Sequence, residues 1–490
     1  MTANWTKLVE YGKKACLLCA SILFFAGLCT GQPSVSLAPK SGPPTSNILV
    51  SGKGFKPYDA IDIYFDTTDK ALAVADGMGA FSKIAIKAPA AASPGKHWVS
   101  AVQRSGHVGD QVVFNVNTNW SQFHFSASHS GFNPYENVLS ASTVAEMGLR
   151  WTVPTVGQVE SAPIEVNGLV YIGAGFTLYA VNATSGALKW QHDVGSFVGG
   201  PAVSGSAVFL SSGDHNVYAF NANTGALLWT YQTANGIVPT TPTVANGVVY
   251  VGSWDHNVYA LKAKTGALVW QYAAGGSVFS TPAVANGVIY FGSDDSNVYA
   301  LNANTGALLW RFATGFFVDS APTVGNGIVY VGSWDRNLYA LNASSGALIW
   351  QYTTDAAVRT SAAVAGGIVY VASDGGFVYA LNAYTGVLLW DYNTGSGDDG
   401  FPPASPSVAN GVVYAGFQDG KVYALEAANG SLLWQYTAGN GVSSTPAVVN
   451  GMVYIGSWDN NAYAFGLRAL DGAKRPALSL LHFDPNLKVN

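Results

Sequence analysis

Charge is scarce in this chain. Of 490 residues only 10% are charged, and 28 acidic against 23 basic side chains leave a formal net charge of −5. No basic stripe appears, which excludes nucleic acid as a partner, because phosphate binding is built on clustered Lys and Arg. Cysteine is scarcer still. The three cysteines, Cys16, Cys19 and Cys29, all lie within the first 31 residues. A mature chain cut after residue 31 has no thiol, and this excludes disulfides, zinc–thiolate sites, cysteine nucleophiles and attached c-type haem. Long apolar runs are lacking as well. Ala15 to Leu28 is apolar but too short for a comfortable membrane span. With Lys7, Lys13 and Lys14 before it and the small residues Cys29 and Gly31 behind it, this run reads as an export signal over residues 1–31. Ala26-Gly27 ahead of Cys29 also suit a lipid anchor, although Leu28 stands where such signals carry a small residue. The expectation is a monomer exported to the periplasm or beyond, touching a membrane only through such an N-terminal anchor.

Glycine and aromatics are plentiful, with 56 Gly, 25 Tyr and 14 Trp, a composition suited to short strands joined by tight turns. Residues 33–117 read as an all-β unit. Ala60 to Asp66 alternates polar and apolar residues as a half-buried strand does, and Asp76-Gly77 and Pro94-Gly95 mark turns. About seven short strands fit a small sandwich. The pieces Ser51-Gly52-x-Gly54-Phe55 and Ser93-Pro94-Gly95 resemble the immunoglobulin-like modules at the front of bacterial exported proteins. Residues 118–148, with Trp120, Phe123, Phe125 and Phe132, are too aromatic for a flexible linker, so they read as a connector packed on the next domain. Residues 468–490 form a C-terminal tail.

From residue 149 to residue 467 the chain repeats itself. The stretch Pro242 to Trp270 shows the unit: a Val-rich run, an Asn246-Gly247 turn, Val248 to Val251, a polar turn at Trp254-Asp255-His256-Asn257, Val258 to Leu261, a Thr265-Gly266 turn, and a strand ending at Trp270. Asn-Gly between apolar runs is a strong hairpin signal. Trp recurs at 151, 190, 229, 270, 310, 350, 390 and 434. Tyr-Ala recurs at 179, 218, 259, 299, 339, 379, 423 and 463. Four strands in about forty residues is one propeller blade. The eighth copy lacks its last strand, and the strand around Trp151 has no blade before it. A closed ring solves both problems and leaves no open edge. The fold expected is all-β, an eight-bladed propeller behind a small immunoglobulin-like sandwich.

The motif Ala-x-Thr-Gly-x-Leu-x-Trp, seen from Ala222 to Trp229 with its Thr224-Gly225, resembles the pyrroloquinoline quinone (PQQ) repeat of quinoprotein propellers. The resemblance covers all eight units. It implies that fold. It also implies two functional classes: PQQ-dependent dehydrogenases, which hold the quinone with calcium, and non-catalytic scaffolds, one of which serves outer-membrane protein assembly.

The repeat Trp and Tyr residues read as packing between sheets. Candidate functional positions are those where the repeat departs from itself. One slot, in the loop entering each innermost strand, holds Glu160, Val198, Pro239, Phe279, Asp319, Arg359, Pro403 and Ser443 in turn. It is expected near the mouth of the channel, with Asp319 and Arg359 paired across adjacent blades and Glu160 roughly opposite Asp319. The turns Trp254-Asp255, Trp334-Asp335-Arg336 and Trp458-Asp459 belong to the same face. Their Asp residues read as Asx-turn formers, and their three indoles read either as exposed contacts for a protein or glycan or as half-buried packing against a neighbouring loop. Asp398 and Asp399, in the longest loop, are a candidate calcium pair. No residue is expected to be catalytic. The long loops, the vicinal cysteines and the several cations of PQQ-dependent alcohol dehydrogenases are missing, so no cofactor is expected, PQQ and calcium being implied only under the enzyme alternative. An exported binding scaffold for an envelope protein or glycan is the reading preferred, with the dehydrogenase and the assembly scaffold as alternatives.

Overall fold

A computed structural model describes residues 32–234, 240–397 and 400–468. The export-signal segment, the tail from residue 469, slot residue Pro239, and Asp398 and Asp399 lie outside the described residues. The described chain divides into two compact units, residues 32–89 with 95–116, and residues 90–94 with 117–468.

The first unit is built of two sheets. One joins Ser34–Ala38, Asn47–Lys53 and Phe81–Lys87; the other orders Ser41–Gly42, Gly109–Val116, Gly95–Gln103, Ala60–Phe65 and Thr68–Val74. Strand alternation turns Ile61, Ile63 and Phe65 inward, where they join Ile48, Val50, Val99 and Phe114 in a core closed to water.

The second unit contains eight blades of four antiparallel strands, the seventh extended by a short parallel strand, Phe132–Asn133. They are numbered here by chain order of their inner strands, with strands a to d running outward. Blade 3, for example, holds Thr243–Ala245, Val248–Gly252, Asn257–Lys262 and Leu268–Ala273. Blade 8 takes its strands a to c from Ala447–Val449, Met452–Ser457 and Asn461–Leu467, and its outermost strand from Met147–Pro154. Trp151 lies opposite Ala464 in that pairing, so the ring closes where the orphan strand in the sequence requires.

The repeat residues stitch each blade to the next. Trp270 of blade 3 donates its indole N–H to the Ala303 carbonyl of blade 4 at 2.9 Å, and the Tyr250 hydroxyl donates to the same oxygen at 3.1 Å. The ring of Trp229 in blade 2 covers Gly266 of blade 3, where an added Cβ would sit 2.7 Å from it. Gly266 therefore answers two demands, a φ of +71° and a neighbouring indole that leaves no room for a side chain. The seam repeats the pattern: Trp151 donates to Ala183 of blade 1 at 2.9 Å.

The connector lies along the axis of the second unit. Each strand a turns an edge toward the channel, and residues 120–133 bond to every blade in turn. Trp120 exchanges two backbone bonds with Glu165 of blade 1, at 2.8 and 3.0 Å. Val203 and Val244 donate to the Ser121 carbonyl and the Gln122 side-chain oxygen. Val284, Val324, Val364 and Val408 donate to the carbonyls of Ala127, Ser128, Ser130 and Gly131. Asn133 completes the circuit by donating its side-chain N–H to Val448 of blade 8 at 2.8 Å. Inside this loop lie His124 and His129, both fully buried. His129 Nδ1 is 3.2 Å from the Pro322 carbonyl, which can only accept, so Nδ1 carries the proton and Nε2 accepts from the Thr243 hydroxyl at 3.1 Å. Burial holds both rings neutral, lowering His124 to about 4 and His129 to about 3.

Candidate functional site, the loop face of the propeller

In each blade the loop from strand d into the next strand a and the turn between strands b and c open on one face. The slot residues sit on the first of these, the Trp-Asp turns on the second. The two are linked by a fixed offset: a slot residue meets the turn residue fifteen positions later. Trp334 Nε1 donates to Asp319 Oδ2 at 2.7 Å, Trp458 Nε1 donates to Ser443 Oγ at 2.9 Å, and Arg359 Nε donates to Asp374 Oδ2 at 2.5 Å. The variable positions are therefore pairs rather than single residues.

That offset corrects the pairing expected from the sequence. Arg359 does not pair with Asp319. It pairs with Asp374 on its own blade, with side chains only 11% and 4% exposed. Its guanidinium lies 4.7 Å from the centre of the Trp334 ring, so the indole stands between the two slot residues. Asp319 instead faces Asp294 of the preceding blade. Burial, and next the Asp319 carboxylate beside it, hold the Asp294 carboxyl well above the usual carboxylate range. Neither Asp294 nor Asp374 is among the site residues expected from the sequence. Comparing positions fifteen apart across the copies would have exposed both.

The recurring turn aspartates are committed to the turns. Asp255 Oδ1 accepts the Asn257 backbone N–H at 3.0 Å, and Oδ2 accepts the Tyr259 hydroxyl at 2.6 Å. Asp335 does the same with Asn337 and Tyr339, and Asp459 with Asn461 and Tyr463. These carboxylates hold the face together and leave ligand contact to their neighbours. Arg336 and His256 occupy the left-handed position of the turn, at φ of 72° and 71°, and point into solvent.

The three indoles are not equally exposed. Trp334 is 37% exposed, whereas Trp254 and Trp458 are half-buried against Phe279 and Phe401, with ring centres 4.9 Å apart in each case. The phenylalanines carry much of the exposed aromatic surface, and of these only Phe279, in the slot, was a candidate position from the sequence. Phe197 is 65% exposed and packs edge-on against Phe176 at 4.9 Å. Phe316 and Phe317 stack at 4.4 Å beside Trp334. The face is an aromatic rim around a floor of slot pairs.

A cavity of about 370 Å³ opens on this face between the loops of blades 8, 1 and 2, lined by Val156, Gln158, Glu160, Phe176, Phe197 and Asn460 among others. Partial burial raises the Glu160 carboxyl.

A closed ring of eight such blades defines the protein as an eight-bladed propeller of PQQ-like repeats. The family model described as outer membrane protein assembly factor BamB matches residues 135–242, 234–316 and 294–469, most of the chain, and the protein belongs to that family. Among solved structures it is similar to BamB from Moraxella catarrhalis, at 20% identity and a TM-score of 0.57, covering 65% of this chain and 99% of that one. It is also similar to the quinohemoprotein alcohol dehydrogenase ADHIIG from Pseudomonas putida HK5, at 16% identity and a TM-score of 0.61, covering 73% and 82%. The computationally designed Ika8 protein is similar at 17% identity and a TM-score of 0.59, covering 65% and 100%. These likenesses show the fold. No curated protein matches the chain in sequence.

Proposed function

We propose that this protein is an exported, non-catalytic scaffold whose loop face binds a protein of the cell envelope, with the two-sheet front unit, read as immunoglobulin-like, serving as spacer or second contact. One observation carries the reading: exposed phenylalanines and Trp334 ring a polar floor, the composition of a protein contact surface. Assembly of outer-membrane proteins is the narrower form of this reading, and the family description favours it.

The dehydrogenase alternative asks the same face to hold a tricarboxylate quinone, and the residues there do not fit one. Among the described slot and turn pairs Arg359 is the one cation, and Asp374 already engages it. Glu160, Asp294, Asp319 and Asp374 set four carboxyl groups on the floor against it. Three more carboxylates would meet repulsion rather than charge-assisted bonds.

Two measurements test the proposal. Affinity capture from envelope extract, with wild type compared with Phe197→Ala, Trp334→Ala and Phe401→Ala combined, is expected to lose its partner in the variant. Identical recovery would remove the loop face from the proposal. Calorimetry with PQQ and calcium is expected to give no binding heat, and saturable binding at tens of micromolar would replace the scaffold with the enzyme.

A further inference from the structure

We propose that the cavity at Glu160 is a subsite for one basic side chain, an arginine or lysine of the protein partner. The inference rests on the binding role of the loop face and deepens it.

The fifteen-residue offset explains why a cavity forms at this blade. Asp319, Arg359 and Ser443 each meet a side chain across the offset. The mate of Glu160 is Gly175, which has none. No larger residue is accommodated there: Gly175 adopts φ +53°, and an added Cβ would lie 2.3 Å from the Val156 carbonyl. Gly157, at φ +108°, backs onto the same glycine. The backbone thus enforces a missing side chain opposite a carboxylate, and the space left over is the cavity.

Its lining matches a long cation. Glu160 is the one ionisable side chain among the lining residues, and among the described residues it makes no ion pair. Phe176 and Phe197 meet edge to face at 4.9 Å, and both remain exposed. Val156, 70% exposed, supplies an apolar wall. A guanidinium or ammonium group is attracted by both the carboxylate and the aromatic faces, while its aliphatic stem lies along valine. An acidic or neutral side chain would leave the carboxylate unmatched. At about 370 Å³ the space stands at the small end of ligand sites, suited to a single side chain.

The test uses the full chain and three small probes: acetyl-arginine amide, acetyl-lysine amide and the neutral shape-match acetyl-citrulline amide, followed by ligand-observed NMR. The two basic probes are expected to bind wild type with a Kd on the order of 1 mM, the strength that so few atoms allow. Citrulline is expected to bind about tenfold more weakly, and Glu160→Gln to weaken the basic probes by about tenfold. Phe197→Ala should weaken them about threefold to tenfold. Matching thermal melts check that Glu160→Gln is folded. Equal binding of arginine and citrulline, an unchanged Glu160→Gln, or no binding of either basic probe to wild type overturns the subsite. Envelope capture separates this failure from failure of the face. If the probes fail while the aromatic variant still loses the partner, the subsite falls and the scaffold stands. If the aromatic variant recovers the partner unchanged, the face itself falls.

Discussion

Tyr414 shows what the ring gives up at its seam. In blades 3 to 6 the strand-b tyrosine donates its hydroxyl to an alanine carbonyl of the next blade, as Tyr250 does to Ala303 at 3.1 Å. Blade 7 is followed by the seam blade, and there the buried Tyr414 hydroxyl has no partner among the described residues. Trp434 turns to Met147 instead, at 3.2 Å. A buried hydroxyl without a partner costs about 1–3 kcal/mol. Tyr414→Phe is therefore expected to raise unfolding stability by about 1 kcal/mol, while Tyr250→Phe lowers it by about 1 kcal/mol. Chemical denaturation of the pair checks the contrast, and equal signs would sink it. The Arg359–Asp374 pair behaves differently because both side chains are nearly closed to water. Either single alanine variant is expected to cost about 3 kcal/mol, and the double variant less than the sum, because removing one partner strands the other charge. A double-mutant cycle reads this directly. At this scale the sequence was legible for function shared by every blade. Gly266 and its copies are legible from the turn they occupy, although the indole that covers each of them is not. The pairing of slot and turn was not legible in any single copy, since each partner looks ordinary without the other.

The connector is the element whose role the sequence only half disclosed. Trp120, Phe123 and Phe125 announce packing, but backbone carbonyls that accept N–H groups from six of the eight inner strands leave no residue signature. Its two histidines set an acid limit. An unfolded histidine takes up its proton near pH 6.5, whereas the folded rings wait until about 4 and about 3. Their contribution to stability is complete above about pH 6.5 and declines as pH falls through the window down to those values. Glu165 runs the other way. Burial raises it to about 7, so its contribution is present below the ordinary carboxylate range and is lost as pH rises through 7. The two trends oppose each other between about pH 4.5 and 6.5, leaving the histidines alone below that. Urea unfolding from pH 7.5 to 3.5 is expected to show a steep loss below about pH 4.5, on the order of 1–2 kcal/mol per pH unit. A flat acid limb would show that the rings are not held neutral in the folded chain.

On the scale of the whole molecule, eight nearly equal blades make the interfaces close to interchangeable, with one exception. Trp310 and Trp151 are equally buried and each bonds the next blade. Replacing either by alanine is expected to cost about 3–5 kcal/mol. Only Trp151→Ala weakens the strand that closes the ring. Hydrogen exchange is expected to quicken across Met147–Pro154 and Asn461–Leu467 in that variant, and to stay local to its interface in Trp310→Ala. Uniform acceleration in both would mean the seam is no weaker than any other joint.

The axial strap also orders events in time. Residues 120–133 leave the ribosome before any blade does, and they carry the partner group for every inner strand in blade order. Each new blade therefore finds its hydrogen-bond partner already made, one position further round the axis than the last. Closure alone must wait, because Asn461–Leu467 joins a strand synthesised at the outset. The chain assembles as a zipper around a core thread, with a single long-range stitch at the end.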